Sequence, residues 1–74
     1  MIDINSLVMT CWACPSQWEA VTTDKKHVYI RYRWGTLRVD IDQETVLSKG
    51  IGDSLDGVLT TEELLKLLKE AGLY

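Results

Sequence analysis

The sequence predicts an α+β fold: a three-stranded antiparallel meander, with a fourth short strand on offer at Val46-Leu47, and one C-terminal helix on its apolar face. Three observations predict it. His27 to Trp34 alternates strictly, with Val28, Ile30, Tyr32 and Trp34 on one side and His27, Tyr29, Arg31 and Arg33 on the other. Thr36 to Asp42 alternates as well, placing Leu37, Val39 and Ile41 together. Thr60-Thr61-Glu62-Glu63 then reads as a capping box, Thr at the N-cap and Glu at N3, and opens an apolar helical stripe.

The elements follow in chain order within one small domain of 74 residues. Residues 1–14 form an N-terminal arm or strand, with Ile4, Leu7, Val8 and Met9 as its apolar content. The meander occupies 16–42. Its first strand is Gln17 to Thr22, with Trp18 and Ala20 inward, and Thr23-Asp24-Lys25-Lys26 turns into the next. The two alternating runs meet at Trp34-Gly35. Pairing Tyr32 with Leu37 puts Ile30 opposite Val39 and Val28 opposite Ile41, so every apolar residue falls on one face. A two- or four-residue turn allows this register; a three-residue loop with a bulge would set Ile30 against Arg38 and is rejected. The same register leaves Arg31 opposite Arg38, a like-charge pair that needs an acid nearby, and Glu19 is the expected donor of that charge. Residues 43–59 read as a Gly/Asp-rich loop. The helix spans 60–72, with Leu64, Leu65, Leu67, Leu68 and Ala71 apolar, Gly72 as its stop and Leu73 folding back onto Leu68.

Part of the pattern is familiar. Cys14-Pro15-Ser16-Gln17-Trp18-Glu19, Val28 through Leu37, and Leu55 through Leu64 resemble a group of very short uncharacterised proteins from cyanobacteria, actinobacteria and phages that share a CPxQWE … YxRYRWGxL … LDGxxTxEE pattern. The resemblance covers residues 14–64 and implies no activity. Cys11 falls outside that pattern, which puts in doubt any role that needs both cysteines.

Composition narrows the function classes. No apolar run approaches the ~20 residues of a membrane span, and the N-terminus lacks a basic segment followed by an apolar one. The expectation is therefore a cytoplasmic protein with no membrane association. A net charge of −3 argues against a dedicated nucleic-acid binder. Three Trp, three Tyr and no Phe mean that every large ring carries a polar handle needing a partner or water.

Several stretches invite chemistry, and each has a plainer structural explanation. Cys11-Trp12-Ala13-Cys14 has the spacing of a thiol redox pair or of two zinc ligands, with His27 as a third. No strand-to-helix setting surrounds it, and two small apolar cysteines in a turn near the core are the simpler account. Asp53 through Glu63 resembles the second half of a calcium loop, but Gly52 and Ser54 stand where the first two ligands belong. A turn at Asp56-Gly57 and the capping box explain the same residues. Paired carboxylates occur at Asp40 and Asp42, where a solvent-facing salt bridge is the simpler role. Catalysis thus has little support, and no cofactor is implied.

The most promising feature is the polar sheet face. Residues 25–38 hold Lys25, Lys26, Arg31, Arg33 and Arg38 and no acid. Tyr29 lies among them and Trp34 marks the turn. The expected role is a non-enzymatic interaction or accessory protein, monomeric or homodimeric, that binds another protein through Tyr29, Arg31, Arg33, Trp34 and Arg38. Single-stranded nucleic acid on the same face is the first alternative. Glu19, Asp40 and Asp42, expected on that face, count against it. A thiol redox or zinc role for Cys11 and Cys14 is the second. The partner hypothesis depends on Trp12, Tyr29 and Trp34 being open to solvent rather than packed.

Overall fold

A computed structural model describes residues 1–12, 16–52 and 58–74. Its elements are a 3₁₀ turn at Ile4–Ser6, strands β1 (Val8–Cys11), β2 (Ser16–Val21), β3 (His27–Arg33), β4 (Thr36–Ile41) and β5 (Glu44–Gly50), and helix α1 (Thr61–Glu70). The strands form one antiparallel sheet in the order β1-β2-β3-β4-β5. The α+β class with a C-terminal helix matches expectation. The strand count is corrected from three or four to five.

The central hairpin has the expected register, with Val28↔Ile41, Ile30↔Val39, Arg31↔Arg38 and Tyr32↔Leu37 paired. Its two-residue turn has φ of 56° at Trp34 and 70° at Gly35. Positive φ at both positions is the type I′ geometry, whose twist matches that of the flanking strands. The β4–β5 turn uses the same device at Asp42 (52°) and Gln43 (68°), with no glycine to announce it. That is one reason why 43–59 reads as a loop in the sequence. The other is a bulge. Val39 pairs with Leu47 but Asp40 with Thr45, leaving Val46 as the extra residue and breaking the period-two pattern. Val46 is 45% exposed, so the two adjacent apolar residues of β5 do not share a face.

Strand β1 is hidden in a similar way. Met9 pairs with Trp18 and Cys11 with Gln17, so Thr10 is the surplus residue. None of its four residues is buried. The rest of the arm is held by backbone bonds. Ile2 N–H donates to the Leu73 carbonyl at 2.8 Å, Asp3 N–H to the Val21 carbonyl at 2.9 Å, and Thr23 N–H to the Met1 carbonyl at 2.8 Å. The two ends of the chain therefore meet beside the end of β2.

One face of the sheet carries the core. Trp18, Ala20, Val28, Ile30, Tyr32, Leu37 and Val39 cluster with Ile2, Leu59 and the helix residues Leu64 and Leu68. Each fully buried leucine contributes about 1.5–3 kcal/mol relative to exposure. Polar handles are satisfied at the rim: Trp18 Nε1 donates to Thr61 Oγ1 at 3.1 Å, tying β2 to the first helical turn. Ser16 is buried and bridges two segments. Its hydroxyl donates to the Trp12 carbonyl at 2.6 Å and accepts from Leu59 N–H at 3.0 Å.

The helix ends are as expected. Thr60 Oγ1 accepts from Glu63 N–H at 3.1 Å, and Glu63 Oε1 accepts from Thr60 N–H at 3.3 Å. Gly72 has φ 74°, and Leu73 N–H reaches the Leu68 carbonyl at 2.9 Å, closing a Schellman motif. Among the described residues no helix is long and apolar enough to cross a membrane.

Candidate interaction surface

The face opposite the core is built from the polar halves of the alternating strands. Register sorts these residues into rows across the sheet. One row runs Val8, Glu19, Tyr29, Asp40, Thr45. The next runs Cys11, Gln17, Arg31, Arg38, Ser48. Beyond it, Arg33 faces Thr36 beside the turn. Acids thus occupy one row and arginines the next.

The like-charge pair Arg31–Arg38 is offset by Asp40, not by Glu19. Arg38 Nη2 donates to Asp40 Oδ2 at 2.9 Å, and Thr45 Oγ1 donates to Asp40 Oδ1 at 2.7 Å. Burial raises the Asp40 carboxyl's pKa. The hydrogen bonds from Thr45 and Arg38, with the charges of Arg38 and Arg31, outweigh that and hold it below its ordinary value of 3.8. Glu19 sits opposite Tyr29 instead, diagonal to Arg31, and its Oε1 meets His27 Nε2 at 2.8 Å. Asp42 is not on this face as a strand residue; it belongs to the β4–β5 turn.

Four of the five expected partner residues come together. Arg31, Arg33, Trp34 and Arg38 line one concavity of about 270 Å³, joined by Thr36 and Ser48. The Arg33 guanidinium lies over the Trp34 ring, 5.0 Å from its centroid, a cation–π contact that holds it at the turn. Trp34 is 59% exposed. Tyr29 is half-buried one row away, between Glu19 and Asp40, and does not line the concavity. Thr36 was legible as a member, because the hairpin register sets it opposite Arg33. Ser48 was not, because its strand read as loop.

The other candidates are separated or out of view. Cys11 is half-buried at the end of β1, and Cys14 lies outside the described residues. His27 faces Val21 while Cys11 faces Gln17, four residues along the same strand. That spacing is roughly 13 Å, too far for one metal ion to take both. No group of three or more metal-ligating side chains occurs among the described residues. The calcium-like stretch at 53–57 lies outside them too, and Glu63 serves the capping box. Trp12, at the end of β1, is 72% exposed.

The chain matches no family model, no curated protein and no solved structure. The site must therefore be interpreted from its own chemistry.

Proposed function

We propose that this chain is a small non-enzymatic interaction protein that holds an acidic segment of a protein partner on the Arg31/Arg33/Arg38/Trp34 surface. One observation carries the proposal. Three guanidiniums and an exposed indole share one concavity, and among the described residues neither Arg31 nor Arg33 has a carboxylate partner. Arginine supplies oriented donors to carboxylates, and Trp and Arg dominate binding hot spots. Tyr29 borders the surface and adds area to it. The likeness to the short bacterial and phage proteins stays part of the proposal and brings no activity with it.

Single-stranded nucleic acid is the second reading, favoured by the exposed ring beside two arginines. The row containing Glu19 and Asp40 repels a running polyanion, which ranks it lower. A fluorescence polarisation titration decides between them, using a labelled poly-glutamate peptide and a labelled oligo-dT. The peptide binds, and the double variant Arg31→Glu/Arg33→Glu loses it by at least about tenfold. Preference for oligo-dT with a steep salt dependence hands the surface to nucleic acid. Peptide binding that ignores the double variant removes this surface from consideration.

A further inference from the structure

We infer that the concavity between β3, β4 and β5 is a seat for a single phosphate dianion, so that the partner is captured through a phosphorylated side chain. This rests on the partner-binding function proposed above and names its ligand chemistry.

The charge count points there first. Arg31, Arg33 and Arg38 line the concavity, and Asp40 pairs with one of them. Three positive charges less one negative leave a residue of two. A phosphomonoester carries about −1.5 to −2 at neutral pH with three acceptor oxygens, whereas a carboxylate carries one charge and two oxygens. One phosphate matches what two separate carboxylates would be needed to match.

The donors are also arranged for a compact acceptor. Arg31 and Arg38 are directly opposite on β3 and β4, with Ser48 next in the same row and Arg33↔Thr36 in the neighbouring one. The hydroxyls of Thr36 and Ser48 are not taken up by another group among the described residues. A tetrahedral anion between these rows meets guanidinium and hydroxyl donors from three strands. Arg33 is held by the Trp34 ring rather than by an acid, so its charge stays available.

Size and surroundings favour one phosphate over a strand of them. About 270 Å³ falls below the ~300–1,000 Å³ of pockets that enclose whole small molecules. The acidic row on one flank interrupts any continuous basic track. A single exposed indole at the edge gives one stacking platform, not a series.

The test uses the full chain and one labelled acidic peptide in three forms, with phosphoserine, serine or glutamate at its centre, and the unlabelled phosphoserine form as competitor. The phosphoserine form binds about tenfold tighter than the glutamate form. Arg38→Gln removes most of that advantage, and the milder Ser48→Ala on the exposed rim reduces it severalfold while circular dichroism stays unchanged. Affinity rises from pH 5 to 7.5 as the second phosphate proton, with a pKa near 6, leaves. Inorganic phosphate at millimolar level competes. Equal binding of the phosphoserine and glutamate forms, both dependent on Arg31, overturns the phosphate seat and leaves the proposed function standing. Binding of neither form overturns both, and tighter binding of an oligo-dT of equal charge overturns the phosphorylated side chain as ligand.

Discussion

Asp40→Asn should lower stability and raise anion affinity at once. Asp40 is 13% exposed on its side chain and accepts from Arg38 at 2.9 Å and Thr45 at 2.7 Å. Asparagine keeps the shape and can keep the Thr45 bond through its carbonyl oxygen. It loses the charge that sits against Arg38 and near Arg31. A hydrogen bond to a charged group contributes about 1.5–3 kcal/mol when shielded. Arg38 is 45% exposed, so solvent screening brings the pair to about 1 kcal/mol. Uncompensated repulsion between the opposed arginines adds about 0.2–1 kcal/mol. The net loss is about 1–2 kcal/mol, or a fall in Tm of roughly 5–15 °C for a domain of this size.

The pH dependence follows in sign. Asp40 titrates below its ordinary 3.8 in the folded protein. A carboxyl with a depressed folded pKa stabilises above its unfolded value, and that stabilisation disappears as pH falls through the folded one. Thermal melts of the two proteins therefore differ fully at pH values well above the ordinary carboxyl value of 3.8 and converge as pH falls through the depressed folded one. In parallel, removing one negative charge beside the concavity strengthens capture of an acidic or phosphorylated peptide by about threefold or more. Equal melting temperatures across this range, or weaker peptide capture, would refute the role given to Asp40 in balancing Arg31 and Arg38.

Two further substitutions test the frame that holds the surface. Ser16→Ala leaves the buried Leu59 N–H without its acceptor and frees the Trp12 carbonyl, so urea unfolding should show a loss of about 1–3 kcal/mol; no change would mean that Ser16 does not join these segments. Gln43→Gly relieves a side chain at φ 68° in the type I′ turn and should raise stability by about 0.5–1 kcal/mol after the added unfolded-state entropy, seen as a higher Tm. A lower Tm would argue against left-handed backbone at that turn.

Legibility in the sequence tracked local simplicity. The β3–β4 pairing could be read because both strands alternate without interruption and only one register puts Val28, Ile30, Tyr32, Leu37, Val39 and Ile41 on one face. The helix could be read because its start and stop each use side-chain chemistry visible in the letters, Thr60 with Glu63 and Gly72 with Leu73. The edge strands could not. Each carries a bulge, at Thr10 and at Val46, that shifts the period by one residue. The turn that opens β5 uses Asp42 and Gln43 in a conformation ordinarily marked by Asn-Gly or Asp-Gly. The same distinction runs through the candidate surface. Arg31, Arg33, Trp34 and Arg38 lie on the legible hairpin, whereas Ser48 lies on the hidden strand. Period two puts Tyr29 on the same face as the arginines, but the cross-strand register sets it opposite Glu19 and Asp40, in the acidic row. Glu19 was assigned to the arginines because its exact pairing depends on the β2–β3 turn, where Lys25 takes a positive φ of 70° that nothing in its residue type announces.

The most direct test of the central claim is to map the bound peptide by NMR. Titrating the isotopically labelled chain with the phosphoserine peptide should shift the backbone amides of Arg31, Arg33, Thr36, Arg38 and Ser48 and the indole N–H of Trp34, while the helix and β1 stay still. Shifts centred instead on Val8, Met9 and Trp12 at the opposite edge, or spread over the helix, would contradict the assignment of the arginine concavity as the binding surface.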